Sequence, residues 1–481
     1  MKRQSLLTAA VAAACFVGSA HATNWFQLQG TEPSGIAAPF HLFGFIQPTY
    51  QDTGGTAVTG LKGPKAAPFN GAVPKFNEVA PQDTSMSSFN MLRARIAVRG
   101  TVTPISNQID YFIMAEFGNN GYTYSNGSYT PRLTDASVTF NEIPGMRVRV
   151  GLFKTPGPEE VLQGIPDFDY INFTNVSAQL ILNQFIGSGV VRRGGAGGYA
   201  VTPAPIDAGR DQGVQLFDWF NNGPWQFAYA AMIGNGAPLY YNAQSNSTSY
   251  YGRLQESYIF HHSKGPHQAG ITAWVWGHLG HQALDVADTA GGYTRQNYTF
   301  KRYGAGAQYR SGFMTPGAVR VTGELMRGTG WILAPAAFLT SAAYNSTPVG
   351  CGSTNPVCTE TLYPGANNAA VGGYIETGFF VTKHWDLEAR YDQYDRMTNN
   401  PGLERVFKTT TLGVQYYISP MARITLNYAF NRINVPHLSS VTGPTTGLGT
   451  QATRNAVAQN NASAIASARD NTIALQTTLF F

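Results

Sequence analysis

Leu92-Arg93-Ala94-Arg95-Ile96-Ala97-Val98-Arg99-Gly100 alternates with a period of two: the even positions are apolar or small, and three of the odd positions are arginine. That period belongs to an extended strand with one greasy face and one wet face. The stretch is close to the length a tilted strand needs to cross the hydrocarbon of a bilayer. An arginine facing lipid at the midplane costs roughly 2–4 kcal/mol. Parity therefore turns Arg93, Arg95 and Arg99 toward water and the even positions toward lipid.

The pattern repeats beyond this stretch. Ile109, Tyr111, Ile113, Ala115 and Phe117 oppose Asp110, Phe112, Met114 and Glu116, after a turn at Thr103-Pro104-Ile105-Ser106-Asn107. Val148, Val150 and Leu152 oppose Arg147, Arg149 and Gly151, and the same division recurs at 302–310, 387–392, 411–416 and 423–431. About sixteen such segments can be traced, from 40–50 to 471–481, an even number as bacterial barrels require. The links between them alternate in length. Asn221-Asn222-Gly223, Thr382-Lys383-His384 and Ser419-Pro420-Met421 are tight, whereas 51–89, 155–210, 328–370 and 433–470 are long and rich in Gly, Asn, Ser and Pro. The reading is an all-β, transmembrane antiparallel β-barrel with short periplasmic turns and long external loops. Trp225 and Trp385 fall beside tight turns, where a girdle of interfacial aromatics would sit.

Composition supports a lipid-facing exterior. Charged residues make up 12% of the chain and aromatics 12%, with 53 glycines; a soluble surface of this size calls for about twice the charge. No apolar run reaches the ~20 residues of a membrane helix. Lys2 and Arg3, the apolar run Leu6 to Val17 and Ala20-His21-Ala22 read as a signal peptide over 1–22, leaving a barrel domain over 23–481. Its removal would lower the net charge from +5 to +3, too mild a balance to argue for nucleic acid. Cys351 and Cys358 flank a loop-like stretch and are expected to close it as a disulfide in an oxidising compartment, a metal site being the competing reading. The last strand, Asn471 to Phe481, alternates and ends on phenylalanine, resembling the terminal strand that outer-membrane proteins present to the barrel-assembly machinery.

Several pieces occur in an order that resembles the phosphate-selective porin O/P family. They are Leu92-Arg93-Ala94-Arg95-Ile96 with Gly100, Asp110-Tyr111 with Ala115-Glu116-Phe117-Gly118, and Leu133-Thr134-Asp135-Ala136. Val148-Arg149-Val150-Gly151 with Lys154 and Pro156, and Arg210-Asp211-Gln212-Gly213-Val214-Gln215, follow in turn. The resemblance implies a homotrimer of sixteen-stranded barrels in a Gram-negative outer membrane, with the loop over 155–210 folded inward as a constriction. It also implies lysines and arginines that guide anions, which on the matched positions are Lys154 with Arg93, Arg95, Arg99, Arg147 and Arg149. One departure bears on selectivity. The family's phosphate-selective members carry a lysine cluster at the constriction, whereas Lys154 is the only lysine here between Lys75 and Lys264.

The function expected is passive diffusion of small hydrophilic solutes, with a preference for anions such as phosphate, because luminal guanidinium groups attract anions and grip phosphate bidentately. No cofactor is called for. The same arginines can instead be internal partners of Asp110, Glu116 or Asp135 across the strands, which would leave a weakly selective general pore. An outer-membrane enzyme is the rival from another class. His261, His262, His278 and His281 lie near expected barrel ends, but no nucleophile motif accompanies them. A secreted β-rich binding module is the second rival, and it would need no detergent for extraction.

Overall fold

A computed structural model describes residues 25–28, 39–63, 66–67, 70–71, 87–103, 105–120, 122–125, 128–182, 190–194, 198–202, 209–236, 248–261, 266–287, 293–335, 347–349, 360–445, 447–467 and 469–481. The expected signal peptide and the Cys351–Cys358 disulfide lie outside these residues. Sixteen long antiparallel strands close on themselves. They are β1 (His41–Thr53), β2 (Ser87–Thr101), β3 (Ile109–Glu116), β4 (Arg132–Ile143), β5 (Met146–Lys154), β6 (Arg210–Asn222), β7 (Trp225–Gly234) and β8 (Ser249–Ile259). The circuit continues with β9 (Gly270–Ala287), β10 (Tyr293–Arg310), β11 (Val319–Gly330), β12 (Ala369–Phe380), β13 (Trp385–Arg396), β14 (Arg405–Ser419), β15 (Ala422–Asn434) and β16 (Asp470–Phe480). Each strand pairs with the next, and β16 pairs with β1 through Phe45 opposite Phe480 and Ile46 opposite Leu479. Closure leaves no unpaired edge, the condition for a sheet to stand in lipid.

Parity is obeyed almost throughout. Ile96, Ile113, Val150, Leu254, Val275, Leu387, Leu412 and Leu475 are exposed on the outside, while Arg93, Arg95, Glu116, Arg149, Arg253, Glu324, Asp392 and Gln476 are buried inside. Trp225 and Trp385 both face out beside short turns, packed on Tyr258 and Tyr416. An apolar belt around a polar, charged interior places the chain in the outer membrane.

Three features depart from the reading of the sequence. Leu92, expected on the lipid face, is turned inward and packs on Ile171 and Ala474. Gln47 lies opposite Arg93 but Pro48 lies opposite Met91, so the register slips by one residue at a proline that cannot donate to the ladder. The alternation of link lengths is not strict. β9 and β10 stay paired from Gly270–Arg310 out to Ala287–Tyr293, so a hairpin of long strands stands at the end of the barrel where 51–89 and 155–210 leave as long links. Finally, the segment 433–470 is not all loop. Gln451–Ser467 forms a helix, in keeping with its alanine content, and its Ala458, Ala462 and Ile465 share an apolar cluster with Val58, Leu61 and Ala66 of the β1–β2 link.

Candidate channel lumen

The chain leaves β5 at Lys154 and turns into the barrel. From Thr155 to Leu182 every residue is buried except Gln163, Gly164, Pro166, Asp167 and Asn172, which keep partial exposure. Two kinds of contact hold this segment. Phe168, Tyr170, Phe173, Val176, Leu180 and Ile181 join a cluster with inward residues of the far wall, among them Trp274, Trp276, Tyr374, Tyr394 and Phe407. The polar groups reach the same wall. Glu159 pairs with Arg253 at 2.5 Å, Glu160 with Arg390 at 3.2 Å and Asp169 with Arg320 at 2.7 Å. The Ile171 N–H donates to Asn427 Oδ1 at 2.9 Å, and Asn175 Nδ2 donates to Asp392 at 2.7 Å and to Thr409 at 2.8 Å. Buried polar groups of an irregular segment must find such partners, and here the barrel wall supplies them.

The segment begins with a helical turn, Glu159–Leu162. The Glu159 N–H donates to Glu324 at 3.1 Å, and Glu324 also accepts the indole N–H groups of Trp274 and Trp276 at 2.8 and 2.7 Å and the Tyr374 hydroxyl at 3.1 Å. Lower in the segment Asp167 meets His267, which lies in the β8–β9 turn, at 3.3 Å. Arg310 donates to His267 Nδ1 at 2.8 Å; a guanidinium has no acceptor, so Nε2 carries the proton offered to Asp167. Burial pushes the Asp167 carboxyl up to about 6, with Arg423 and Arg310 opposing and Asp169 adding to the rise. Burial and the neighbouring Arg310, Arg423 and Arg320 hold the His267 ring well below its usual range, so this contact is a hydrogen bond of a neutral ring at pH 7.

The six cationic residues singled out from the sequence all face the interior, each with neighbours. Arg93 donates to Gln47 at 2.9 Å, Arg95 pairs with Glu116 at 2.7 Å, and Arg99, half-buried, stands 5.3 Å from the centre of the Phe43 ring. Arg147 keeps partial exposure, pairs with Asp218 at 3.0 Å and lies over Trp219 at 4.2 Å. Arg149 is fully buried and donates to Thr139, Gln215 and the Phe26 carbonyl. Lys154 ends β5 on an even number, yet its ammonium turns inward and donates to the carbonyls of Leu162 and Gln163 at 3.2 and 2.6 Å. Asp135 pairs with Arg210 at 3.0 Å, and Asp110 accepts from Asn141 at 2.6 Å.

Sequence reasoning passed over a second set of cations. Arg253, Arg302, Arg320, Arg390 and Arg423 line the opposite wall and hold the inward segment through Glu159, the Leu180 carbonyl, Asp169, Glu160 and the Phe168 carbonyl respectively. Parity alone already turned Arg302, Arg390 and Arg423 inward; their partners, far off in sequence, left no local signal. The wall over β11–β13 is mixed in charge: Glu324, Glu376, Asp386, Glu388 and Asp392 stand there beside Arg320 and Arg390. His278, expected near a barrel end, is instead buried in the lumen beside Tyr251 and Trp276, within 3.3 Å of the Pro156 carbonyl.

No family model matches the chain, and no curated protein matches it. Among solved structures it is similar to an anion-selective porin from Comamonas acidovorans, at 11% identity and a TM-score of 0.48, over 92% of this chain and 100% of that one. It is likewise similar to OmpT, an outer membrane protein of Vibrio cholerae, in its trimer form, at 9% identity and a TM-score of 0.46, over 92% and 99%. The outer membrane channel DcaP of Acinetobacter baumannii gives 9% identity and a TM-score of 0.47, over 92% and 97%.

Proposed function

We propose that this protein is a passive diffusion channel for small hydrophilic solutes, with the inward segment 155–182 as its constriction and a preference for anions. One observation carries the reading: a closed barrel with an apolar exterior encloses a charged interior, and a polar-anchored segment crosses that interior. Such an arrangement has no use in a soluble binding module. Anion preference rests on the partly exposed Arg99 and Arg147 beside water, with phosphate as the anion a guanidinium grips best. The homotrimer implied by the family resemblance belongs to the same proposal.

A weakly selective pore is the second reading, favoured by a specific observation. Arg93, Arg95 and Arg149 are sealed from solvent and committed to Gln47, Glu116 and the Phe26 carbonyl, and Lys154 is committed to loop carbonyls. Planar-bilayer recording separates the two. A chloride-favouring zero-current potential in a KCl gradient, with block by millimolar phosphate, supports the anion channel. A potential near zero without block leaves a general pore, and the absence of conductance refutes both.

A further inference from the structure

Ahead of β1 the chain places one helical turn, Trp25–Leu28, inside the barrel. Trp25 and Phe26 are 5% and 1% exposed and pack with Leu162 of the inward segment, Phe217 of β6 and Ala228 and Ala230 of β7. Two polar links fix the turn. The Trp25 indole N–H donates to Glu159 Oε1 at 2.5 Å, and Arg149 Nη2 donates to the Phe26 carbonyl at 2.8 Å. Arg149 itself is framed by the Phe217 and Phe153 rings at 4.4 and 5.6 Å.

This placement is not forced by the barrel. β1 begins at its short-turn end, since His41 lies opposite Arg99, just before the short link to β3. A segment ahead of it could lie in the periplasm with its two aromatic rings in water. Instead it occupies the sector of lumen between β5–β7 and the first anchor of the constriction. Glu159 is the shared element: one carboxylate oxygen accepts from Trp25 and the other from Arg253 of the wall. Burial of two aromatic rings favours the seated state. Ordering four backbone residues opposes it with a free energy of the same order. Opposed contributions of similar size make a segment that can leave and return, unlike the strands, whose every pairing is shared with two neighbours.

We propose that residues 25–28 are a tethered strap that narrows the lumen when seated, holding the Glu159 end of the constriction and covering Arg149. Released, the strap widens the path and bares the Arg149 guanidinium to passing anions. The inference rests on the pore reading above, and the two can fail separately.

The test compares full-length wild type with Trp25→Ala/Phe26→Ala in a planar bilayer under a KCl gradient. The strap predicts a single-channel conductance higher by about half or more, because the lumen cross-section sets the current, and a potential shifted toward chloride. A conducting wild type with a variant of equal conductance and equal potential overturns the strap and keeps the pore. Silence in both overturns pore and strap together. If the double variant does not accumulate as a folded barrel, Trp25→Phe keeps a ring and removes the bond to Glu159. It is expected to visit a higher conductance level more often than wild type, and a single level at the wild-type value overturns the strap.

Discussion

Arg390→Met tests whether the inward segment is held by its polar anchors. The Arg390 side chain is buried, pairs with Glu160 at 3.2 Å, donates to the Asn172 carbonyl at 2.8 Å and lies 4.2 Å from the centre of the Tyr170 ring. Its removal leaves Glu160 as a buried carboxylate with only Thr174, among the described residues, to satisfy it. Breaking one side of a buried pair costs about 3–5 kcal/mol. The barrel hydrogen bonds do not share that cost, so it falls on the docking of 155–182. At 1.4 kcal/mol per factor of ten, 3 kcal/mol raises the undocked population by roughly two orders of magnitude. Amide exchange reads this population. The N–H groups of Ile171, Thr174 and Asn175 donate to Asn427, Glu160 and Asp392, and their exchange is expected to quicken about a hundredfold. The β13 wall amides should not change. Exchange across 155–182 within about threefold of wild type would refute the reasoning, since the pair would then contribute little to docking.

Asp167, with its carboxyl pushed up to about 6, gains a proton between pH 7 and pH 5. The zero-current potential of wild type should move toward chloride over that interval, while Asp167→Asn should hold the acid value throughout. The neutral form is the one the fold favours, so its contribution to stability is present below the ordinary value near 4 and is lost as pH rises through 6. Glu116→Gln leaves Arg95 buried without its counter-charge and should lower the urea midpoint in lipid vesicles, at a cost of about 3–5 kcal/mol; Glu116→Gln/Arg95→Met should be less damaging than Glu116→Gln alone. Gly151→Ala should reduce the yield of heat-modifiable folded barrel: Gly151 has φ +132° and a Cβ there would sit 2.2 Å from the Ala136 carbonyl oxygen.

The strands were legible because water on one side and lipid on the other act on every residue separately. A two-residue period is enough to reveal Ile96 and Ile113 outside, with Arg95 and Glu116 inside. The slip at Pro48 that turned Leu92 inward was not legible, because it depends on how β1 and β2 align, not on either strand alone. The lumen was legible only by sign and side. That Arg93, Arg95, Arg99, Arg147 and Arg149 face inward follows from parity, but what each arginine touches follows from the path of 155–182. Glu159 with Arg253 and Asp169 with Arg320 meet across the barrel, and nothing near either partner in the chain announces the other. Trp25 and Phe26 carried no periodicity at all, and their burial against Phe217 belongs to the tertiary arrangement.

The seam between β1 and β16 has a consequence in time. Phe45 pairs with Phe480, and Gly44 exchanges backbone hydrogen bonds with Phe481, at 2.8 and 3.0 Å. The first strand made is thus completed by the last, so during synthesis and export the β1 edge waits for a partner that does not yet exist. Closure is the most non-local step in the molecule and carries the largest loop-closure entropy. Until β16 arrives the β1 edge has no partner, so the chain passes through a stage with an adhesive edge, and the arrival of the final strand sets when the barrel closes.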